Sequence, residues 1–344
     1  MMNSITNSYK NTPNSLVHRV PLDFNSLVSV PDSHEWVAES VPVIDLCDPN
    51  AKTLIGEACE KWGAFQVTNH GVSMELLNRV ELETIRFFSL PANRKLCALR
   101  SPEGITGYGV PRTSTYYPKL LWSECFTMMG SPTHHAAQLW PDQPHRQTTF
   151  CNLMEECQKE MKALTERVME LMLESLGLTV DDLKWFKPKT GSNKTQALLA
   201  LNSYPICPEP ERAMGLGPHR DTSMLTVLYQ SSCRGLQVFQ DEMGWIPVQP
   251  VPGAIVINIG DLMHILSNGR FNNVLHRAMV NKTRHRVSFA YIYGPPSDEL
   301  ISPLPKLTND NNPPLYSPVN WKDYIYSKQV HGNNALHALH LTNH

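Results

Sequence analysis

The residues of this chain with the clearest capacity for chemistry are two histidines and one aspartate. His219 and Asp221 stand two positions apart, shortly before the apolar run 224–228, and residues two apart on a strand project to the same face. His276 follows later, after a loop rich in Gly and Asn. Two imidazoles and one carboxylate on one side of a metal, with the other positions open, are typical of a non-haem Fe(II) oxygenase site. The sequence therefore predicts a metal site formed by His219, Asp221 and His276.

A second pair, Arg286 and Ser288, stands two residues apart within a later apolar segment. A guanidinium pairs with a carboxylate through two parallel hydrogen bonds. A serine hydroxyl on the same strand face adds a further donor. We therefore expect Arg286 and Ser288 to hold the far carboxylate of a dicarboxylic cosubstrate. Arg284 is the local comparison, because it carries the same charge but lies nearer the turn.

The elements that must position these residues begin at residue 195. From there short β-like runs recur, separated by Gly, Pro, Asp and Asn and without helical patterns between them. Such spacing indicates an all-β barrel or jelly roll. The predicted strands are 197–201, 225–229, 236–239, 245–248, 254–259, 278–280 and 287–293.

Before residue 195, the pattern of apolar and turn residues predicts alternating strands and helices. We expect strands at 41–46 and 64–69, a helix at 51–62 that Gly63 ends, and a helix between Ser73 and Pro91. The segment 100–150, rich in Gly, Pro, Tyr and Trp, is interpreted as irregular surface or pocket wall. Met and Leu repeat every three or four positions over 151–177, which predicts a long helix that buries one stripe against a sheet.

The fold predicted from these patterns is mainly β with flanking helices. A double-stranded β-helix core (a jelly roll, cupin-like) packs with an N-terminal α/β region and a C-terminal helix. Five segments are expected along the chain. They are a flexible arm at 1–40, an N-terminal α/β region at 41–150, a supporting helix and linker at 151–194, the jelly-roll domain at 195–300, and a tail with a helix at 301–344.

Composition and charge limit the kinds of partner and the cellular compartment to be expected for this chain. The chain has 344 residues, a formal net charge of −2 and 41% hydrophobic residues, so charge gives no reason to expect a nucleic-acid or membrane partner. The N-terminal residues contain no apolar signal-peptide core. The eight cysteines form no C-x-x-C pair, which is typical of reduced thiols. We expect a monomer in the cytoplasm, with the nucleus as a second location.

Several segments resemble the plant 2-oxoglutarate- and Fe(II)-dependent dioxygenases. They are residues 41–46, 62–72, 202–208, 235–239 and 258–261, and the likeness extends from about residue 40 to 330. The resemblance implies that His219, Asp221 and His276 hold Fe(II). It also implies that Arg286 and Ser288, helped by Asn202 and Tyr204, hold 2-oxoglutarate, with O2 as the oxidant. Decarboxylation to succinate and CO2 would accompany hydroxylation of an unactivated C–H, and ascorbate would support activity.

Within this family, further segments resemble the gibberellin 3-beta-dioxygenases. They are residues 30–36, 107–110, 122–124, 209–216, 264–269 and 301–307. The resemblance implies that the substrate is a gibberellin, an apolar tetracyclic acid, which requires an apolar wall with a few polar anchors. The expected wall residues are Tyr108, Tyr116, Trp122, Tyr291 and Tyr293, and Arg112 is the expected partner of the substrate carboxylate.

Two departures from the family pattern leave other activities open. Arg220 replaces a small residue between the ligands, where strand alternation predicts that it faces away from the iron, and Cys125 replaces Gly. A gibberellin 2-beta or dual 2-beta,3-beta hydroxylase, or a hydroxylase of another terpenoid or a flavonoid, is the alternative within the family. A binding module that has lost catalysis and a zinc hydrolase are the alternatives outside it. Arg286 has no role in a zinc hydrolase.

Overall fold

Two larger β-sheets, a two-stranded sheet and a layer of helices form the part of the chain that the computed structural model describes, residues 40–102, 104–111, 117–186 and 195–341. The strands are β1 (Val43–Asp45), β2 (Ala64–Thr68), β3 (Gly107–Gly109), β4 (Glu124–Met128), β5 (Gln196–Tyr204), β6 (Leu216–His219), β7 (Leu225–Gln230), β8 (Leu236–Gln240), β9 (Gly244–Pro247), β10 (Ile255–Ile259), β11 (His276–Ala278), β12 (Arg286–Gly294), β13 (Leu300–Ile301) and β14 (Val319–Asn320). The helices are α1 (Ala51–Lys61), α2 (Met74–Phe88), α3 (Ala92–Leu96), α4 (Thr133–Leu139), α5 (Pro144–Ser175), α6 (Asp261–Leu266) and α7 (Trp321–His331).

The strands form a larger and a smaller sheet with different roles. The larger sheet has eight strands in the order β1-β2-β10-β7-β12-β5-β4-β3, and the smaller has the order β6-β11-β8-β9. Side chains from both sheets line one cavity, so the two sheets enclose it. This arrangement, together with the flanking helices, confirms the predicted jelly-roll class.

Strand β12 shows that the larger sheet is buried on both faces. Successive side chains of a strand point to opposite faces. Phe289 and Tyr291 pack in the core cluster that also contains Met161 and Leu164 of helix α5. Ser288 and Ala290 instead line the cavity. Because both faces are covered, the part of this strand after Ser288 reads in the sequence as a continuous run of apolar and aromatic residues.

Helix α5 supports the larger sheet and is longer than predicted. Its buried stripe includes the Met and Leu positions that the spacing indicated. The helix begins at Pro144 rather than at residue 151. Proline is well suited to the first helical turn, where its missing N–H has no partner to lose. The apolar repeat is less regular in this first part, which is why periodicity alone placed the start too late.

Three other predictions differ from the structure. The segment 100–150 is more regular than expected, because it contains β3, β4 and α4, and β4 pairs with β5. The predicted strand 278–280 is shifted to His276–Ala278. The C-terminal helix, predicted from Trp321 to about Ala338, ends as α7 at His331 and is followed by short 3₁₀ turns, because Gly332 has a φ of 56° that does not continue a helix. Among the described helices, none combines the length and apolarity needed to cross a lipid bilayer.

Candidate metal and cosubstrate site

A cavity of about 690 Å³ lies between the two sheets. Its walls come from strands β4, β5, β7 and β12 on one side and from β6, β8 and β11 on the other, and side chains of α7 contribute a further part. The volume is in the range of sites for small organic ligands. Apolar side chains such as Leu198, Leu228 and Ile292 make up much of the wall.

The two predicted histidine ligands face each other across neighbouring strands. β6 and β11 are antiparallel, and His219 is paired directly with His276. Residues paired in this way have Cβ atoms about 5 Å apart, and here the imidazole centroids are 4.3 Å apart. Both side chains are buried. The sheet register therefore brings together two residues that are far apart in the sequence.

Backbone carbonyls orient both imidazoles. The Nδ1 atom of His219 lies 2.8 Å from the carbonyl O of Gly217, and that of His276 lies 3.1 Å from the carbonyl O of Val274. A carbonyl only accepts hydrogen bonds, so each Nδ1 carries the proton and donates it. Each Nε2 then keeps its lone pair for a metal.

Asp221 completes the group from a loop rather than from a strand. Strand β6 ends at His219, so the alternation argument that selected Asp221 does not describe its backbone. Its Oδ1 nevertheless lies 3.6 Å from Nε2 of His219 and 3.9 Å from Nε2 of His276. The three ligand atoms all lie within 4.8 Å of one another. Asp221 Oδ2 is buried and has no hydrogen-bond partner among the described residues.

The charge state of the group suits a cation. Burial opposes ionisation of Asp221, but the charge of His276, the hydrogen bond and charge of His219 and a hydrogen bond from Thr226 hold the pKa of this carboxyl well below its usual range. Burial, followed by the neighbouring charge of His219, lowers the pKa of His276 to about 4. At neutral pH the site thus contains a carboxylate and a neutral imidazole at His276, which are the forms that bind metals.

Arg286 and Ser288 lie at the start of β12, where the larger sheet borders the cavity. Both are buried, with Arg286 only 1% exposed. The Arg286 guanidinium lies 4.7 Å from the ring centroid of Tyr204, and its Nη2 donates a hydrogen bond of 3.2 Å to Gln230. Its Nε and Nη1 have no partner in the part of the chain that the structure describes.

A buried guanidinium with two unused nitrogens requires an anion. Leaving such a charge unpaired is costly, and a carboxylate accepts charge-assisted hydrogen bonds from guanidinium nitrogens. Gly235 makes room for the side chain, since a Cβ there would lie 2.7 Å from Cδ of Arg286. The residues present therefore fit the distal carboxylate of 2-oxoglutarate, just as the metal ligands fit Fe(II).

Asn202 and Tyr204 lie beside this arginine, where the sheet register places them. Tyr204 is paired with Arg286 and Asn202 with Ser288 on adjacent strands, and both line the cavity. Gln230, on the other side, is also paired with Ser288. Gln230 was not among the predicted site residues, although its place as a polar residue at the end of the apolar run 225–229 is a signal for such a role.

The structure places the predicted substrate wall differently. Tyr108, Trp122, Tyr291 and Tyr293 are not among the described residues that line the cavity. Tyr291 and Tyr293 lie on the helix-facing side of β12, because they alternate with the cavity-facing positions. The Tyr108 hydroxyl instead donates to Glu124, and Trp122 is 42% exposed. Arg112 and Tyr116 lie outside the described residues.

Both positions that depart from the family pattern line the cavity. Arg220 was expected to face away, but strand β6 ends before it, so its direction does not follow from alternation. Its Nε donates to the carbonyl O of Asn273 at 3.1 Å. Cys125 is buried on β4, opposite Asn202.

Helix α7 contributes cavity residues that the sequence analysis did not identify. Trp321, Ile325, Lys328 and Gln329 all line the cavity. Lys328 is tied to Asp261 by a contact of 2.6 Å between Nζ and Oδ2. No local pattern in the sequence signals this role, because it depends on how the end of the chain folds back over the sheets.

Comparisons with known proteins agree with this site. Residues 195–295 match the family model of the 2OG-Fe(II) oxygenase superfamily, and residues 41–146 match that of the non-haem dioxygenase in morphine synthesis N-terminal region. The chain is 46% identical to gibberellin 3-beta-dioxygenase 1 of Arabidopsis thaliana, with 96% of each chain covered. It is 45% identical to gibberellin 3-beta-dioxygenase 1 of Pisum sativum, with 99% of this chain and 94% of the relative covered. The crystal structure of JOX2 in complex with 2OG, Fe and JA matches with a TM-score of 0.78 and 35% identity, covering 92% of this chain and 95% of JOX2.

Proposed function

The chain belongs to the 2OG-Fe(II) oxygenase superfamily, and on this basis we propose that it is a gibberellin 3-beta-hydroxylase. It uses Fe(II), 2-oxoglutarate and O2, and it releases succinate and CO2. The observation that carries this proposal is the convergence of three metal ligands beside an unpaired buried arginine within one largely apolar cavity. The near-full-length identity of 45–47% to several gibberellin 3-beta-dioxygenases supports the choice of substrate.

His219, Asp221 and His276 hold the metal in this proposal. Fe(II), when bound, supplies the oxidising chemistry that couples decarboxylation of 2-oxoglutarate to hydroxylation of a C–H bond. The three residues would hold Fe(II) from the wall of the cavity, through the two Nε2 atoms and the Asp221 carboxylate. The hydrogen bonds from each Nδ1 to a backbone carbonyl fix the imidazoles before the metal binds.

Arg286 and Ser288 orient 2-oxoglutarate by its distal carboxylate. The unused Nε and Nη1 of Arg286 face this ligand, and burial of the guanidinium strengthens the interaction. Asn202 and Tyr204, paired with the same two residues on β5, hold it from the side. The surrounding apolar wall excludes water and places one substrate C–H near the metal.

Product analysis tests the proposal directly. The purified chain is incubated with Fe(II), 2-oxoglutarate, ascorbate and a gibberellin that lacks the 3-hydroxyl group, and the product is compared with authentic hydroxylated standards by chromatography and mass spectrometry. We expect a 3-beta-hydroxylated product and an equal amount of succinate. The His276→Ala variant is the control and should give neither.

The same assay separates the alternatives. Hydroxylation only at carbon 2 would overturn the proposed position and identify a 2-beta-hydroxylase. Binding of the gibberellin without succinate formation would identify a protein that has lost catalysis. We further propose that the enzyme acts as a monomer in the cytoplasm. Light scattering of the purified protein and imaging of the tagged full-length chain test these two points.

A further inference from the structure

Arg100 also lines the cavity, close to strands β3 and β4 at the edge of the larger sheet. Its backbone N–H donates to Tyr108, which anchors the residue beside β3. The guanidinium lies over Gly109, since a Cβ there would be 4.0 Å from Cζ. Nη1 donates to the carbonyl O of Val110 at 3.2 Å, and Nη2 makes only a long contact of 3.5 Å with the carbonyl O of Gly107. Nε is buried and has no partner among the described residues.

The sheet register separates Arg100 from the proposed cosubstrate site. Ser288, Asn202, Cys125 and Gly109 are paired in one row across β12, β5, β4 and β3. Neighbouring strands are about 4.8 Å apart, so Gly109 lies about 14 Å from Ser288. A five-carbon dicarboxylate held at the Ser288 end is too short to reach the Arg100 guanidinium. Arg100 is therefore available to a different ligand in the same cavity.

The other cations that line the cavity have partners or an assigned ligand. Arg277 donates to Gln237 at 2.8 Å and stacks 4.0 Å from the ring centroid of Trp245. Lys328 is paired with Asp261. Arg220 donates through Nε to a backbone carbonyl and, unlike Arg100, has no buried nitrogen without a partner among the described residues. Arg286 is assigned to 2-oxoglutarate.

No counter-charge for Arg100 is present among the described cavity residues. The one carboxylate in this part of the wall is Asp221, which belongs to the metal group. Cys125 lies near Arg100, but burial raises the pKa of its thiol to about 11, although the charge of Arg100 acts in the opposite direction. The thiol is therefore neutral at pH 7. An unpaired guanidinium in a largely apolar cavity favours an apolar ligand with one carboxylate.

We propose that Arg100 binds the carboxylate of the substrate and so selects apolar monocarboxylic acids. This inference rests on the proposed function, because it assigns the acidic end of the same gibberellin. The ligand's apolar skeleton lies across the wall formed by residues such as Leu198 and Ala200, and its reacting end points to the metal. Arg100 thus takes the role that the sequence suggested for Arg112.

Binding of a gibberellin and of its methyl ester distinguishes this role from a structural one. The full-length protein is loaded with Fe(II) and 2-oxoglutarate without oxygen, and both ligands are titrated by calorimetry. We expect the wild type to bind the acid about 10- to 100-fold more tightly than the ester, as for a charge-assisted hydrogen bond. In Arg100→Gln the acid should lose this advantage, while ester affinity stays within about threefold of wild type.

Matched variants complete the experiment. Arg94→Gln removes an equal charge from an exposed position on the preceding helix and should keep the full preference for the acid. Arg100→Lys should keep part of it, because lysine retains the charge but not the fork. Bound 2-oxoglutarate, titrated separately, should be unaffected in all three variants.

Three outcomes would overturn the inference. One is equal binding of acid and ester by the wild type, which requires no variant. A second is an undiminished acid preference in Arg100→Gln, and a third is loss of that preference in Arg112→Gln instead. If the wild type binds neither acid nor ester, the proposed substrate itself is wrong. If only the Arg100 assignment is wrong, the wild type still binds the gibberellin, so the two failures can be distinguished.

Discussion

Replacement of Lys328 by Met tests how helix α7 is held over the cavity. Lys328 and Asp261 are both almost fully buried, and Nζ lies 2.6 Å from Oδ2. The same Oδ2 accepts a hydrogen bond of 2.7 Å from Tyr324, and Asn273 donates to Oδ1. The backbone N–H of Asp261 donates to the carbonyl O of Asp221 at 2.8 Å. The pair therefore connects α7 to the loop that carries a metal ligand.

The magnitude follows from what Lys328→Met leaves behind. Removing one partner of a buried ion pair costs about 3–5 kcal/mol, because the other charge stays buried and unpaired. Asp261 keeps its hydrogen bonds from Tyr324 and Asn273, so we expect the lower end, about 3 kcal/mol. For a chain of this size, about 2 °C is lost per kcal/mol, so the melting temperature should fall by about 6 °C.

Chemical denaturation and calorimetry of the metal-free protein measure this loss. Lys61→Met is the matched control. Lys61 forms an ion pair of 3.9 Å with Glu57, and its side chain is 71% exposed, so it should change the free energy of unfolding by less than about 0.5 kcal/mol. The double variant Asp261→Asn/Lys328→Met removes both charges of the buried Lys328–Asp261 pair. It should be more stable than Lys328→Met alone, by about 1 kcal/mol.

Two results would refute this reasoning. Lys328→Met could destabilise the protein no more than Lys61→Met, which would mean that the buried pair contributes nothing beyond a surface pair. Alternatively, the losses from Asp261→Asn and Lys328→Met could simply add in the double variant. Additivity would show that the two side chains do not interact energetically, despite the contact of 2.6 Å.

Three further predictions address the site and its framework. Arg286→Lys should raise the KM for 2-oxoglutarate about tenfold, because lysine lacks the paired donors, whereas Arg284→Lys, at an exposed position, should not. The rate of succinate formation gives the KM of both variants. Equal KM values would show that another residue binds the distal carboxylate of 2-oxoglutarate. His276→Ala should abolish tight Fe(II) binding by calorimetry, and a variant that still binds iron would contradict the ligand assignment. Gly260→Ala should lower the free energy of unfolding by about 3 kcal/mol, because its Cβ would lie 2.0 Å from the carbonyl O of Ser223; an unchanged urea midpoint would show that the backbone yields easily.

The fold was predictable to the extent that its elements carry local patterns. The helices α1 and α2 and most strands after residue 195 were located from periodicity and turn residues. Strands β3 and β4 were missed because Gly, Pro and aromatic residues dominate their surroundings. At the sheet edge β4 pairs with β5 and β3 pairs with β4, and such pairing leaves no short-range signal.

Two of the predicted wall residues face away from the cavity for a related reason. Tyr291 and Tyr293 were chosen for their residue type, but alternation along β12 directs them to the helices. A one-residue difference in register decides whether a side chain faces the cavity or the core. Arg100 carried no motif at all. Its importance follows from an unpartnered Nε in a cavity that exists only after the two sheets come together.

The sequence by itself determined the chemistry of this protein. The kinds and spacing of His219, Asp221, His276 and Arg286 specify a metal and a carboxylate, because few other ligands use those side chains together. Tertiary structure decided the geometry. The antiparallel register of β6 and β11 places the two histidines face to face, and the loop after β6 brings in Asp221. Sheet closure leaves Arg286 buried with unused donors and leaves Nε of the partly exposed Arg100 buried without a partner. These facts depend on contacts between residues far apart in the chain, which local sequence patterns do not encode.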